Sequence, residues 1–104
     1  TITTGKPFVS HEWYFVAASY DAETRTVTLH QEPLHNHVGT NDAARKRTKL
    51  KQGVGMAHDA PLTIGACFDR FDAGRTACTA YYNGKIDGPR IAGRALSESE
   101  LQAF

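Results

Sequence analysis

A chain of 104 residues, 40% hydrophobic and 22% charged, has the composition of one soluble globular domain. A net charge of +1 gives no global electrostatic case for nucleic acid as a partner. No apolar run approaches the roughly 20 residues that span a bilayer, which argues against a membrane role.

The first residue, Thr1, opens a polar segment with no secretory signal and no initiator Met. We therefore expect a cytoplasmic protein and a piece of a longer chain. Thr1–His11 reads as an extended lead-in that contains Pro7 and Phe8. Trp13–Tyr20 reads as a strand. Val16, Ala18 and Tyr20 share one face, and Trp13, Phe15 and Ala17 share the other. Apolar groups on both faces predict a central strand. Asp21–Thr24 carries turn residues. Arg25–Glu32 alternates, with Val27 and Leu29 inward and Thr26, Thr28 and His30 outward. Together these predict a hairpin. Leu34–Val38 offers a further strand. Gly39–Gly55 is polar, lacks alternation and concentrates Arg45, Lys46, Arg47, Lys49 and Lys51, so it is expected outside the sheet.

Strand signals resume at Leu62–Cys67, pause in a loop at Asp69–Gly74, and return at Thr76–Asn83. Tyr82, Ile86 and Ile91 then read as a strand kinked by Gly84, Gly88 and Pro89. Asn83-Gly84 alone suggests a hairpin turn instead. The clearest local signal closes the chain. Ser97-Glu98-Ser99-Glu100 is a capping box, with Ser97 at N-cap and Glu100 at N3. Leu96 and Leu101 form the matching hydrophobic staple. So short a helix needs Leu96, Leu101 and Phe104 to pack on a sheet. No internal repeat or low-complexity segment is present. Many short strands and one short helix predict an all-β chain, an antiparallel β-sandwich in a single domain spanning 1–104.

Candidate sites are few. His35 and His37 would share a strand face near His30, and zinc favours histidine. No cysteine or carboxylate at metal spacing supports them, so a surface or structural role is preferred. The basic stretch Arg45, Lys46, Arg47, Lys49, Lys51 could meet phosphate or an anionic polymer. It lacks the interleaved aromatics of a base-stacking surface. A solvated loop or a loop docked on an acidic neighbour fits better. Asp69, Asp72 and Asp87 are weak candidates for calcium, which needs several converging oxygens. Asp87 also suits hydrogen bonding to loop backbone. Cys67 and Cys78 lie on consecutive predicted strands and are expected as reduced, buried thiols.

The pattern Asn83-Gly84-Lys85-Ile86-Asp87, then Arg90-Ile91, then Arg94-Ala95-Leu96-Ser97 with Glu100-Leu101, resembles the closing signature of laminin-G-like jelly-roll domains of the concanavalin A-like fold. Trp13–Ala17 with Tyr20-Asp21 resembles an earlier strand of that family, and Pro61–Gly65 an intermediate one. Gly88 and Ala92 depart from it, standing where the family often has an acidic residue and a tyrosine. Trp13-Tyr14, Tyr20-Asp21, Gly74-Arg75-Thr76, Cys78 and Tyr82–Lys85 with Asp87, Pro89 and Ile91 are more closely similar to the laminin-G-like module in the large subunit of the N,N-dimethylformamidase family.

That resemblance implies a partial jelly roll inside a larger hydrolase. The parent would split N,N-dimethylformamide into formate and dimethylamine, using iron held by tyrosine and glutamate outside this module. It also implies other domains or subunits as partners. The isolated fragment, lacking strands to pair with Trp13–Tyr20, is expected to form a homo-oligomer, most simply a homodimer. A lectin-like carbohydrate-binding module is the alternative, with Trp13 and Tyr81 as contact candidates. A jelly-roll glycosidase needs paired carboxylates, commonly as Glu-x-Asp-x-x-Glu, and no stretch here has that pattern. No catalytic residue is assigned to this chain.

Overall fold

The computed structural model describes residues 1–35, 42–55, 62–72 and 75–103; for 68–72 and 75–77 it describes the backbone alone. The chain forms two compact units, Thr1–Val54 with Ala92–Phe104, and Gly55–Ile91.

The first unit holds a three-stranded antiparallel sheet in the order β1-β2-β3. β1 is Tyr14–Asp21, β2 is Thr26–Pro33 and β3 is Ala44–Lys49. The β1–β2 hairpin forms for a local reason. The Asp21 Oδ1 accepts the Glu23 N–H at 3.0 Å and the Thr24 N–H at 3.4 Å, which folds the chain back. Arg25 closes the turn with φ of 54°, a left-handed conformation uncommon outside glycine. The register then places Val16 opposite Gln31, Ala18 opposite Leu29 and Tyr20 opposite Val27.

Three sequence expectations change here. β1 is an edge strand among the described residues, not a central one. The stretch Gly39–Gly55 is not excluded from the sheet either. Its residues Ala44–Lys49 are β3, paired with Gln31–Thr26. Lysine and arginine on both faces hid the strand, because charged side chains on both faces leave no apolar alternation. Finally, Thr26, Thr28 and His30 are half-buried, as Val27 and Leu29 are. The segment Ala95–Glu98 lines a cleft together with Thr26 and Thr28, so the face read as outward is also shielded. In the proposed strand Leu34–Val38, Leu34 and His35 form a bend, and 36–38 lie outside the described residues.

No apolar side chain is fully buried among the described residues. The one buried side chain among the described residues is polar. Gln31 is 4% exposed. Its Nε2 donates to the Asp42 carbonyl at 2.8 Å, and its Oε1 accepts the Thr4 hydroxyl at 2.6 Å. Tyr20 supports the same side of the sheet by accepting the Val54 N–H at 3.2 Å.

The second unit holds a two-stranded antiparallel hairpin. β4 is Cys67–Asp72 and β5 is Arg75–Thr79. The expected strand Leu62–Cys67 contributes only Cys67. Gly65 explains this: its φ is +79°, and a Cβ there would stand 3.1 Å from Ile86 Cδ1. The Tyr82 N–H donates to the Gly65 carbonyl at 2.7 Å, which holds the bend. The expected loop Asp69–Gly74 is strand up to Asp72, while 73–74 lie outside the described residues. The strand expected at Thr76–Asn83 ends at Thr79, and Tyr81–Ile91 forms neither a strand nor an Asn83-Gly84 hairpin. Positive φ at Ala80 (51°) and Gly88 (57°) breaks the extended path twice.

The described regular elements are thus mostly strands, with one short helix, α1, at Glu98–Ala103 in the first unit. Replacing Gln31 by Ala should destabilise the first unit by about 1–3 kcal/mol, because the Asp42 carbonyl and Thr4 hydroxyl lose their partner. Urea unfolding followed at β2 measures it. A loss below about 0.5 kcal/mol would show that water replaces the amide freely.

Candidate functional site

The sequence signal at Ser97 is realised in full. Glu100 N–H donates to Ser97 Oγ at 3.3 Å, and Ser97 N–H donates to Glu100 Oε2 at 2.7 Å. The first helical bond, Leu101 N–H to the Ser97 carbonyl, is 2.9 Å. Leu96 and Leu101 are half-buried beside it, as the staple requires. Arg94 adds what the capping pattern does not state. Its guanidinium forks onto Glu100, with Nη2 to Oε1 at 2.7 Å and Nη1 to Oε2 at 3.0 Å. The Arg94 fork, then the Ser97 N–H and hydroxyl, bring the Glu100 carboxyl down from the ordinary 4.5 to about 2. Arg94 is raised in turn by the same hydrogen bond and charge.

Helix α1 is tied to the sheet by an ion pair between Arg45 on β3 and Glu98. The remaining basic residues of that stretch, Lys46, Arg47, Lys49 and Lys51, are exposed and have no carboxylate partner among the described residues. The backbone of β3 adds a second property. The Leu50 N–H donates to the Arg25 carbonyl at 2.8 Å. Antiparallel pairs alternate between hydrogen-bonded and open, so Thr48, Lys46 and Ala44 point their backbone groups at β2. The backbone N–H and C=O groups of Arg45, Arg47 and Lys49 point away from it. The same logic runs from the Leu34 N–H to Trp13 carbonyl bond of 2.9 Å. It leaves the backbone groups of Val16 and Ala18 on the outer edge of β1. The sheet therefore has one basic edge and one apolar edge.

A polar cluster lies by the start of β1. The Tyr14 hydroxyl donates to Asp42 Oδ2 and accepts the Val9 N–H, both at 2.9 Å. Burial raises the Tyr14 pKa; the Val9 N–H opposes this, and the Asp42 carboxylate adds to it. Phe8 packs on the Tyr14 ring with centroids 4.7 Å apart. These contacts fix the lead-in segment and leave the phenol committed to structure.

The other predicted residues do not assemble. His30 packs edge-on to Phe15 at 5.8 Å and sits 3.4 Å from Glu32 Oε2. His35 is exposed, and His37 lies outside the described residues. Asp69 and Asp72 fall on β4, where the register skips Asp69 between Phe68 and Arg70, making it a bulge. Asp87 is exposed. Among the described residues, no three His, Cys, Asp or Glu groups gather as metal ligands. These described donors offer no gathered set for the iron that the resemblance places in the parent, outside this segment. Cys67 and Cys78 are free and lie on paired strands, but Cys67 is exposed and not buried as expected. Trp13 is 44% exposed and Tyr81 73% exposed, in separate units. No helix among the described residues is long and apolar enough to cross a membrane.

No family model matches the chain, and no solved structure matches it. Sequence similarity is more informative. The chain is 31% identical over 107 residues to the N,N-dimethylformamidase beta subunit of Paracoccus aminophilus, and 28% over 112 residues to that of an Alcaligenes species. These alignments take in 95% and 98% of this chain. The chain is similar to part of a dimethylformamidase beta subunit. It spans 14% of the length of each relative. Both relatives carry the designation beta subunit, which replaces the large-subunit designation expected from the resemblance. Neither a family nor a structure match carries the laminin-G-like part of that resemblance.

Glu100 offers a pH test of the capped segment. Its folded pKa lies below its ordinary value, so its contribution is complete above about 4.5 and is lost as pH falls through about 2. Carboxyl NMR should show Glu100 titrating near 2, and Arg94→Ala should move it toward 4.5. A Glu100 titration unchanged by that substitution would contradict the fork.

Proposed function

We propose that this chain is a non-catalytic interaction module of a dimethylformamide-hydrolysing enzyme, within a subunit related to the beta subunit. The observation that carries this reading is the similarity that takes in almost the whole chain but only 14% of each relative. The fold supports it. A sheet with no fully buried apolar side chain among the described residues suits a part whose core is completed by other parts. The edge strand β1 and the exposed Val16 suit the loss of a neighbouring strand in a laminin-G-like jelly roll. No group in the chain is assigned to hydrolysis, and the iron chemistry belongs to the parent outside this segment. Its partners are the other domains and subunits of that parent.

The purified chain should release no dimethylamine from N,N-dimethylformamide. Release at a rate above the solvent background would overturn the non-catalytic reading. The parent gene tests the family reading separately. Flanking sequence that aligns with the rest of the beta subunit is the expected result, and unrelated flanking sequence contradicts it.

The isolated chain also self-associates in this reading, most simply as a two-fold dimer. Phe8, Trp13, Val16, Leu34 and Val54 are 41–60% exposed in the first unit, with Val9 at the low end of that range. At about 25 cal/mol per Å², covering a few hundred Å² of such surface yields several kcal/mol. Sedimentation equilibrium over a wide concentration range should show dimer. A stable monomer at all concentrations would show that the chain closes its own core.

A further inference from the structure

We propose that the outer edge of β3 is a docking site for an extended acidic segment, which adds to the sheet as a fourth strand. Two independent features of the edge point to this occupant. The first is main-chain geometry. The outward N–H and C=O groups of Arg45, Arg47 and Lys49 have no strand partner among the described residues. They form a ready template for strand addition. The second is charge. Arg47 and Lys49 share one sheet face, Lys46 takes the other, and all three are exposed without a carboxylate partner among the described residues. A strand laid beside them with acidic residues at alternate positions sets its carboxylates on the Arg47 and Lys49 face, opposite or diagonal to those two cations, and leaves Lys46 on the other face.

Basic residues on an edge strand also serve to repel indiscriminate pairing. The same charges make the edge selective. A neutral or basic strand loses on desolvation and repulsion, while an acidic one gains on both encounter and register. Arg45 shows that this face accepts a carboxylate, because Glu98 already occupies it from within the chain. The edge of β1 is different in kind. Val16 and Ala18 present no charge there, so the two edges of one sheet call for different neighbours. Nucleic acid is the weaker fit, since the edge has no aromatic side chain for base stacking. This inference does not depend on the parent enzyme's reaction.

Hydrogen-exchange mass spectrometry on the full chain tests it, with a hexapeptide of alternating glutamate and valine as the probe. The peptide covering Ala44–Lys49 should exchange at least about tenfold more slowly with the probe present, while β1 is unchanged. High salt should remove much of that protection. A hexapeptide of alternating serine and valine should give little protection. The double substitution Arg47→Glu with Lys49→Glu should transfer the preference to a lysine–valine hexapeptide. Exchange at β1 serves as the folding control for the variant. If the variant control fails, the salt and serine arms decide on the native chain. Unchanged β3 exchange, equal protection by the serine peptide, or stronger protection by a short DNA duplex would each overturn the proposal.

Discussion

The two-sided pairing of β2 is the interaction on which the first unit depends. β2 bonds to β1 through one set of backbone groups and to β3 through the alternate set. Its even-numbered residues serve β1 and its odd-numbered residues serve β3, as the flanking bonds Leu34–Trp13 and Leu50–Arg25 fix. Each backbone bond contributes only about 1 kcal/mol net, because the unfolded chain bonds to water instead. A ladder of this kind ordinarily rests on apolar burial. Here that support is thin, since among the described residues Gln31 is the one buried side chain and the apolar ones are half-covered or open. The polar clamp of Gln31 with Asp42 and Thr4 therefore matters more than its size suggests.

The remaining order in the unit is polar as well. Asp21 folds the hairpin, Tyr14 holds the lead-in through Val9 and Asp42, and Arg45 holds α1 through Glu98. The segment Arg94–Leu101 is held by its own capping and fork bonds and by the Arg45–Glu98 pair, and its six-residue helix has no fully buried residue. Such exposed pairs are individually weak and are screened by salt. They specify geometry more than they stabilise it. A chain built this way keeps its apolar positions available for other surfaces, which is the physical content of reading it as an interaction module.

Local signals were legible in the sequence and non-local ones were not. Ser97 and Glu100 stated the helix start because capping is settled within four residues. Asp21 stated the turn for the same reason. β2 was visible through apolar alternation, and β1 through apolar residues on both of its faces. β3 was not, because Arg45, Lys46, Arg47 and Lys49 put charge on both faces and leave no apolar period to read. The strand reading of Tyr82–Ile91 failed in the opposite way. Its apolar spacing was suggestive, but positive φ at Ala80 and Gly88 bends the backbone out of the extended path. At the candidate site, the basic stretch was found by composition alone, while its outward backbone groups emerged only with the register. Gln31 could have been noticed, since it shares the parity of Val27 and Leu29.

The central proposal is that this sheet is completed by neighbours beyond its three described strands. The most direct test is amide exchange at Val16 and Ala18, whose N–H groups face the open side of β1. It should be measured in the monomeric chain and again in the full-length parent protein. The account predicts fast exchange in the monomer and strong protection in the parent, where a strand covers that edge. Equal exchange in both, whether fast or slow, would contradict it.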